Sequence, residues 1–358
     1  MPDIYLAYGS DCIDLTTQLL ESADVKSRVP QNAKVIIKPN LVTPTRPEHG
    51  ATTHAGIAEA VILYLQKYCS PASITVAEGA WIGAKTTQAF TICGYDDLAK
   101  KYGVALLDTK KDETVSVTAH GIELEVCKTF LEADYFINLP VLKGHSQTKM
   151  TCCLKNLKGC IPDSEKSRYH KTGLHKPIAA LTTVLKPDLH IVDSICGDPT
   201  FEEGGSPLQT DRMLLGFDPV LLDSYCSGLI GVDYRAVRYL CLAQEWGVGK
   251  FAPDKPDILE IGGENRPDIP VIRSDVLSYL AEFVEEDSAC SACYAALLSA
   301  LNKMAGEMPV YGEIKVGQGF RGKEMDGVGV GDCTAGCSKH QPGCPPKAGD
   351  ILTFLRSV

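Results

Sequence analysis

Short apolar runs and longer helical patterns alternate through the first two thirds of the chain. The apolar runs are bounded by turn residues and predict β-strands at residues 34–40, 73–78, 104–108, 135–139, 189–193 and 213–217. The segments between them predict α-helices at 53–65 (Thr53 as N-cap), 86–102 (with a break near Gly94), 176–185 and 219–229. Alternation at this spacing is typical of parallel βαβ units. We therefore expect an α/β fold with a mainly parallel sheet.

The last part of the chain has a different character, because it is dense in Gly, Cys and Pro from about residue 285. One helix is predicted there, at residues 291–304. We therefore divide the 358 residues into an α/β body, 1–260, and a Cys-rich C-terminal segment, 261–358. A division of the body into two lobes near residues 110–130 is left open.

Charge and hydropathy argue against several classes of protein. The formal net charge is -10, whereas binding to a nucleic acid duplex requires a basic surface. No stretch approaches the roughly 18 uninterrupted apolar residues of a membrane-spanning helix. The N-terminus lacks the basic start and the apolar run of a signal peptide. We expect a cytoplasmic protein that binds neither nucleic acid nor membranes.

The chain contains 15 cysteines, which is many for a protein of a reducing compartment. Seven are scattered singly and are interpreted as small buried hydrophobic residues: Cys12, Cys69, Cys93, Cys127, Cys196, Cys226 and Cys241. The C-terminal segment is different. It contains Cys290-Ser-Ala-Cys293 at the start of the predicted helix, then Gly331-Asp-Cys333, then Gly343-Cys344-Pro-Pro. Cysteine followed by proline is typical of cluster-binding loops.

We interpret Cys290, Cys293, Cys333 and Cys344 as the ligands of one 4Fe-4S cluster. Cys337 is a competing ligand, since it lies four residues after Cys333. Two alternatives stay open at this point. Four thiolates also form a closed structural zinc site, and the Cys-x-x-Cys pair is also typical of a disulfide or redox-active pair.

A basic loop at residues 140–176 is the second candidate, and it directly follows the predicted strand 135–139. In parallel sheets, ligands bind beyond the carboxyl ends of strands, so this loop is placed to surround such a site. Candidate catalytic residues are Lys38, Lys143, His145, Lys155, Lys158 and His170, and candidate substrate-binding residues are Asn40, Asn156, Glu78 and Asp193. A pocket of this kind suits an anionic or carbonyl-bearing small molecule. The alternative is a solvated basic loop without a ligand.

Cys152, Cys153 and Cys160 lie in the same loop and raise the question of a second metal site with His145 or His170. We do not favour one, because adjacent side chains diverge and the spacing matches no standard metal-binding motif.

Several motifs together resemble one known family, the domain of unknown function numbered 362. The motifs occur in the family's order between about residues 34 and 232, and they are Ile37-Lys-Pro-Asn-Leu41, Thr52-Thr-His54, Leu142-Lys-Gly-His145, Leu154-Lys-Asn-Leu-Lys-Gly159, His170, Asp193 and Phe217-Asp-Pro-Val-Leu-Leu-Asp223. The resemblance implies an α/β domain associated with iron–sulfur centres, often in anaerobes, with an undefined reaction. Its tail pattern maps onto Cys290, Cys293, Cys333 and Cys344, whereas Cys337 is outside it. The chain lacks the eight-cysteine ferredoxin module of some members, so one cluster is expected.

Three functions follow as hypotheses. The first is an iron–sulfur oxidoreductase that transfers electrons to or from a small anionic substrate in the pocket. The second is a non-catalytic electron-transfer protein that docks a redox-partner protein. The third is a binding protein with a structural metal. If the chain forms an oligomer, we expect a homodimer.

Overall fold

The computed structural model describes residues 1–267, 275–304 and 312–358. The chain divides into two compact units. The first unit comprises Met1–Gly144, Thr148–Tyr169 and Leu174–Ile272, and the second comprises His145–Gln147, His170–Gly173 and Arg273–Val358. The first unit therefore continues past residue 260, where the sequence-based division was drawn.

Twelve strands and ten α-helices lie between residues 1 and 267. The strands are β1 (Ile4–Tyr8), β2 (Lys34–Pro39), β3 (Ser73–Glu78), β4 (Ala105–Asp108), β5 (Thr114–Ala119), β6 (Ile122–Cys127), β7 (Tyr135–Leu139), β8 (Lys143–His145), β9 (Lys149–Thr151), β10 (Leu189–Gly197), β11 (Leu208–Gly216) and β12 (Ile258–Ile261). The helices are α1 (Cys12–Ser22), α2 (Ala55–Tyr68), α3 (Thr86–Ile92), α4 (Tyr95–Tyr102), α5 (Lys128–Leu131), α6 (Cys153–Asn156), α7 (Asp163–Thr172), α8 (His175–Val184), α9 (Pro219–Leu229) and α10 (Arg238–Glu245).

Eight of the strands form one sheet in the order β12-β1-β11-β10-β7-β2-β3-β4. Strand β11 is antiparallel to both of its neighbours, whereas every other pair in the sheet is parallel. The predicted α/β class with a mainly parallel sheet is therefore confirmed. All six predicted strands are present, and β10 and β11 are longer than expected.

The sheet is covered by apolar layers on both faces. Along β2, Val35 and Ile37 belong to one buried cluster, whereas Ile36 between them belongs to the other. Successive side chains of a strand point to opposite faces, so a continuous apolar run is what a strand buried on both sides requires. This is the physical reason that the short apolar runs of the sequence predicted the central strands correctly.

One local prediction was wrong, and one strand was not predicted. Helix α2 begins at Ala55 rather than at Thr53, because the Thr53 hydroxyl accepts from Asn40 N (2.8 Å) and donates to the Leu139 carbonyl (2.8 Å). Thr53 thus bridges β2 and β7 instead of capping the helix. Strand β1 was not predicted, although Ile4–Tyr8 is a short, fully buried run. The predicted break at Gly94 is confirmed, with φ of 84° between α3 and α4.

The second unit contains a four-stranded parallel sheet in the order β13 (Val284–Glu286), β14 (Ile314–Val316), β15 (Met325–Val330) and β16 (Cys337–Gln341). Its described helices are α11 (Asp275–Ala281), α12 (Ser291–Lys303) and α13 (Ala348–Leu355). The prediction of a single helix in this segment was wrong. The strands escaped detection because they are short and because β15 contains glycine, which has low strand propensity. A Cβ atom on Gly329 would lie 2.8 Å from Cys337 Sγ.

Candidate functional site

A buried polar cluster lies at the carboxyl ends of three neighbouring strands, β7, β2 and β3. Lys38 is opposite Asn138 in the pairing of β2 with β7, and Glu78 ends β3 on the other side of β2. Lys38 Nζ donates to Glu78 Oε2 at 2.7 Å and to Asn156 Oδ1 at 3.2 Å. Lys38 and Glu78 are 0% and 2% exposed, so the two charges balance each other away from water.

Asn156 reaches this cluster because α6 and the 3-10 turn Leu157–Cys160 fold over the strand ends. The 3-10 turn lies so close to Lys38 and Glu78 that there is no room for a side chain at Gly159. A Cβ atom there would lie 2.1 Å from Glu78 Oε1 and 2.6 Å from Lys38 Nζ. Glycine is therefore required at this position by close approach.

Lys143 is also buried, but its ammonium group faces neutral acceptors. Its Nζ donates to Asn40 Oδ1 at 3.1 Å and to the Ala51 carbonyl at 2.6 Å. Burial lowers the pKa of Lys143 to about 8, since water no longer stabilises its charge.

A cavity opens beside this cluster and is lined by Asn40, Val42, Glu78, Gly79, Trp81, Lys155, Asn156, Lys158, Gly159, Lys166 and Glu202. Lys155 donates to Glu202, and Lys166 donates to the carbonyls of Gly79 (2.9 Å) and Ala80 (3.0 Å). Burial, followed by the neighbouring charge of Lys155, lowers the pKa of Lys158 to about 7. The cavity therefore has an amine whose charge changes near neutral pH.

The structure brings together seven of the ten residues predicted for this pocket. Five of them line the cavity: Asn40, Glu78, Lys155, Asn156 and Lys158. Lys38 and Lys143 are each hydrogen-bonded to one lining residue, Glu78 and Asn40 respectively. Asp193 is outside the lining and instead pairs with His54, whose Nδ1 lies 2.8 Å from Asp193 Oδ2. His145 and His170 belong to the second unit and are also outside the lining. The His145 ring accepts from Gln147 N at 3.1 Å.

Sequence reasoning missed Glu202, Trp81 and Asn138. Asn138 had a detectable signal, because it is a polar residue inside the apolar strand Tyr135–Leu139. Glu202 had a weaker one, an acidic pair that precedes Gly204-Gly205 in a loop after β10. Loop conformation decides where such a side chain points, and propensities do not encode it.

In the second unit, four cysteines line a single cavity: Cys290, Cys293, Cys333 and Cys344. Cys290 is the N-cap residue of α12 and Cys293 follows one turn later, so both thiols face the same side. Gln318 Nε2 donates to Cys290 Sγ at 3.4 Å, and Arg321 Nη2 donates to Cys333 Sγ at 3.3 Å. Burial and then the neighbouring thiols of Cys290, Cys344 and Cys333 raise the pKa of Cys293 to about 12.

Cys337 is not part of that lining. It lies at the start of β16, where burial raises the pKa of its thiol; the charges that act on it are those of Lys315 and Glu285 and not those of the other cysteines. All 15 cysteines are free thiols in the structure. The geometry thus separates Cys337 from the four cysteines of the cavity.

A zinc ion and an iron–sulfur cluster require different spacings of their sulfur ligands. Four thiolates on one zinc ion, with bonds of about 2.3 Å, lie within about 3.8 Å of one another. Within the described ranges, no three of these sulfurs lie within 4.8 Å of one another. Thiolates that bind different iron atoms of one cluster do not need to lie this close together, and the two N–H donors suit the charge of such a cluster. The residues present therefore fit a 4Fe-4S cluster.

One group of potential ligands does lie within 4.8 Å in the described part of the chain, namely Cys152, Cys153 and Asp223. The sulfurs of Cys152 and Cys153 are 3.9 Å apart, so our expectation that these adjacent side chains diverge was wrong. Asp223 accepts from Cys153 N (2.7 Å) and Leu154 N (3.1 Å), which caps the start of α6 and accounts for its burial. Cys160 is not in this group.

The fold and the two cavities define an α/β protein with a lysine-lined pocket and a separate Cys-rich unit. The chain belongs to the family described as domain of unknown function DUF362, whose model matches residues 35–228, more than half of the chain. The predicted family is therefore confirmed.

Three known proteins are similar to the chain. A thylakoid-associated protein of Synechocystis sp. is 24% identical over 259 residues, which cover 69% of this chain and 78% of that protein. The lactate racemase apoprotein of Thermoanaerobacterium thermosaccharolyticum gives a TM-score of 0.41 at 15% identity, covering 63% of this chain and 56% of that one. A Thermotoga maritima protein gives 0.36 at 11% identity, covering 66% and 60%. The chain thus spans less than two thirds of either solved chain. Among the described helices, none combines the length and apolar character needed to cross a membrane.

Proposed function

We propose that this chain is a cytoplasmic iron–sulfur oxidoreductase. Its second unit holds one 4Fe-4S cluster on Cys290, Cys293, Cys333 and Cys344, and its first unit binds a small anionic substrate. The observation that carries the proposal is the single cavity lined by these four cysteines, with Cys337 outside it. The group would supply one-electron transfer at the surface of the second unit.

The chain's own residues prepare this cavity for a cluster with negative charge. Arg321 brings a guanidinium to Cys333 Sγ, and Gln318 brings an amide N–H to Cys290 Sγ. Gly331 lies beside Cys293, since a Cβ there would be in van der Waals contact with that sulfur, at 3.6 Å. Hydrogen bonds of this kind orient thiolates and raise the reduction potential of the group that they hold.

In the first unit, the lysines of the cavity would hold the anion. The charges of Lys38 and Glu78 balance within the cluster beside the cavity, and Lys155 is paired with Glu202. Lys158 is the residue whose charge depends on pH, and Asn40 and Asn156 offer polar atoms that orient a ligand. A small carboxylate meets two kinds of group here, cations and neutral hydrogen-bonding side chains.

A second candidate function is electron transfer to a redox-partner protein, without a substrate. The observation in its favour is the exposure of Cys344 and of Arg321 beside the cavity. An accessible edge with a positive side chain suits docking of an acidic partner surface. The oxidoreductase predicts that the first unit binds a small anion and that Lys158→Met abolishes this binding. The electron-transfer protein predicts no such binding.

The cluster is tested by anaerobic purification, iron and sulfide analysis, and electron paramagnetic resonance of the reduced protein. We expect one 4Fe-4S cluster per chain in the wild type and in Cys337→Ala, which is the matched control. Cys290→Ala, Cys293→Ala, Cys333→Ala and Cys344→Ala should each lose most of the iron and the visible absorption. Zinc without iron in the wild type, or full iron content in Cys344→Ala, would contradict the proposed ligand set.

A further inference from the structure

Three lysines line the cavity beside the polar cluster, and they differ in exposure. Lys155 and Lys166 are 2% and 4% exposed, whereas Lys158 is half-buried. Lys158 lies in the 3-10 turn Leu157–Cys160, which passes over the strand ends. Of the three lysines it is therefore the most accessible to a molecule that enters the cavity from solvent.

The two buried lysines are held in place by carboxylates, but the charges of the wall do not cancel. Lys155 is paired with Glu202. Lys166 contacts Asp163 at 3.3 Å, and Asp163 is shared with Lys110, which lies closer to it, at 2.9 Å. Two ammonium groups thus share one carboxylate, and the wall keeps an excess of positive charge. A ligand with a carboxylate supplies the charge that is missing.

The amine of Lys158 differs from those of its neighbours in its protonation. Loss of water around its ammonium group, and next the charge of Lys155, lower the pKa of Lys158 to about 7. About half of this amine is therefore unprotonated at pH 7. An unprotonated lysine amine attacks carbonyl carbon, and desolvation beside another cation is a usual way to activate it. Lys158 thus combines access from solvent with the protonation state that a carbonyl-binding amine requires.

We propose that Lys158 forms an imine with a short-chain oxo acid, whose carboxylate is held by the cationic wall of Lys155 and Lys166. This names the substrate class of the small-anion site proposed above and rests on that proposal. Lys158 Nζ forms a bond to the carbonyl carbon, the bond from that carbon to oxygen breaks, and the two amine hydrogens leave with the oxygen as water. No further reactant is needed.

The size of the cavity agrees with a short chain. Its volume of about 50 Å³ corresponds to about four water molecules, at roughly 10–15 Å³ for each. An acid of a few carbon atoms fills such a space. Asn40 and Asn156 line the same cavity and offer amide groups that orient the ligand.

The test uses the full-length protein, purified without oxygen, and pyruvate as the smallest ketone of this class. Sodium cyanoborohydride reduces an imine to a stable secondary amine, so the product is a carboxyethyl group on the lysine nitrogen. Peptide mapping by mass spectrometry should find this group on Lys158. The unprotonated fraction at pH 7 is on the order of 10³-fold larger than for a lysine of ordinary pKa, about 10.4, so other lysines should stay mostly unmodified.

Two further probes separate the carboxylate from the ketone. Acetone lacks the carboxylate and should label Lys158 about 10- to 100-fold less, which is the usual factor for one charge-assisted hydrogen bond. Oxalate has the carboxylates without a ketone, so it should compete with pyruvate and prevent the labelling.

Lys158→Arg keeps the positive charge without an amine that forms imines, so it should lose the adduct and retain oxalate binding in calorimetry. Lys176→Arg is the matched control, because Lys176 is an exposed lysine of α8 outside the lining, and its adduct on Lys158 should be unchanged. The peptide map of the wild type locates the modified lysine directly, so the result does not depend on how well Lys158→Arg folds.

The possible results distinguish this imine from the anion site on which it rests. Oxalate binding without an adduct on Lys158 would overturn the imine and leave the anion site in place. Absence of both oxalate binding and the adduct would overturn both. Labelling by acetone that equals labelling by pyruvate, or an adduct that persists in Lys158→Arg, would also overturn the imine with an oxo acid at Lys158.

Discussion

Replacement of Lys38 by methionine tests whether the buried ion pair organises the carboxyl ends of the strands. Methionine keeps most of the unbranched stem of lysine and removes the ammonium, so Glu78 loses its partner at 2.7 Å. Glu78 would retain two backbone donors, Gly79 N at 2.7 Å and Leu41 N at 3.3 Å. Loss of one member of a buried pair usually costs about 3–5 kcal/mol of unfolding free energy. Because two donors remain, we expect a loss of about 3 kcal/mol, at the lower end of that range.

Lys101→Met is the matched control, because Lys101 forms a pair of similar length, 2.8 Å, with Glu59 but is 63% exposed. A surface pair contributes about 0–1 kcal/mol. Urea unfolding followed by tryptophan fluorescence measures both variants, and the two tryptophans, Trp81 and Trp246, report on the first unit. The double variant Lys38→Met/Glu78→Gln should be more stable than the sum of the single losses by about 1–3 kcal/mol. A loss in Lys38→Met no larger than in Lys101→Met would refute the reasoning.

Three further predictions concern space, pH and charge. Gly159→Ala should destabilise the first unit by about 1–3 kcal/mol in urea unfolding, because the new Cβ atom would lie 2.1 Å from Glu78 Oε1. Gly228→Ala in α9 is the control: its Cβ atom would have nothing within 4 Å, so the substitution should be neutral or slightly stabilising. The pKa values of Lys158 and Lys143, lowered to about 7 and 8, predict that oxalate binding measured by calorimetry weakens as pH rises through this range. The pKa of lysine in the unfolded chain is about 10.4, so between about pH 7 and pH 10 the unfolded state binds more protons than the folded state. The unfolding free energy should therefore rise with pH over this interval, and a fall would contradict both pKa shifts. Arg321→Met should leave the iron content unchanged and make the reduction potential more negative in a redox titration, whereas Lys323→Met, which removes a nearby charge without a sulfur contact, should change it less.

The parts of the fold that sequence reasoning predicted are those governed by local pattern. The strand at residues 135–139 and the helix at 219–229 match the structure in both bounds, since one is a continuous apolar run and the other has Asp218 as N-cap and Pro219 in its first turn. The antiparallel direction of β11 was not predictable in this way. A strand has the same residue preferences in either direction, and its partner is chosen by packing over the whole sheet.

The same distinction applies to the candidate sites. Lys38, Glu78 and Asn156 were found because strand order in a parallel sheet brings their positions to one edge. His54, Glu202 and His190 were not, because their roles depend on which side chain completes a hydrogen bond. Asp193 shows the consequence, since its predicted place in the pocket was replaced by the pair with His54. The cysteine cavity was more predictable, because Cys-x-x-Cys at a helix start places two sulfurs within one turn.

The polar cluster occupies a position where apolar side chains would often be at least as stabilising. Replacement of a buried ion pair by apolar groups of similar volume is often neutral or favourable for stability, so stability alone does not explain Lys38 and Glu78. Their orienting effect does. Lys38 determines which way the Asn156 amide points, Asn156 determines the same for Asn138, and Asn138 determines which nitrogen of His190 carries the proton. One ammonium thus sets the donor pattern from the lysine-lined cavity to His190. If this is correct, Lys38→Met releases the constraint on the Asn156 amide, and the ¹⁵N resonances of the His190 ring should shift in that variant although His190 does not contact Lys38.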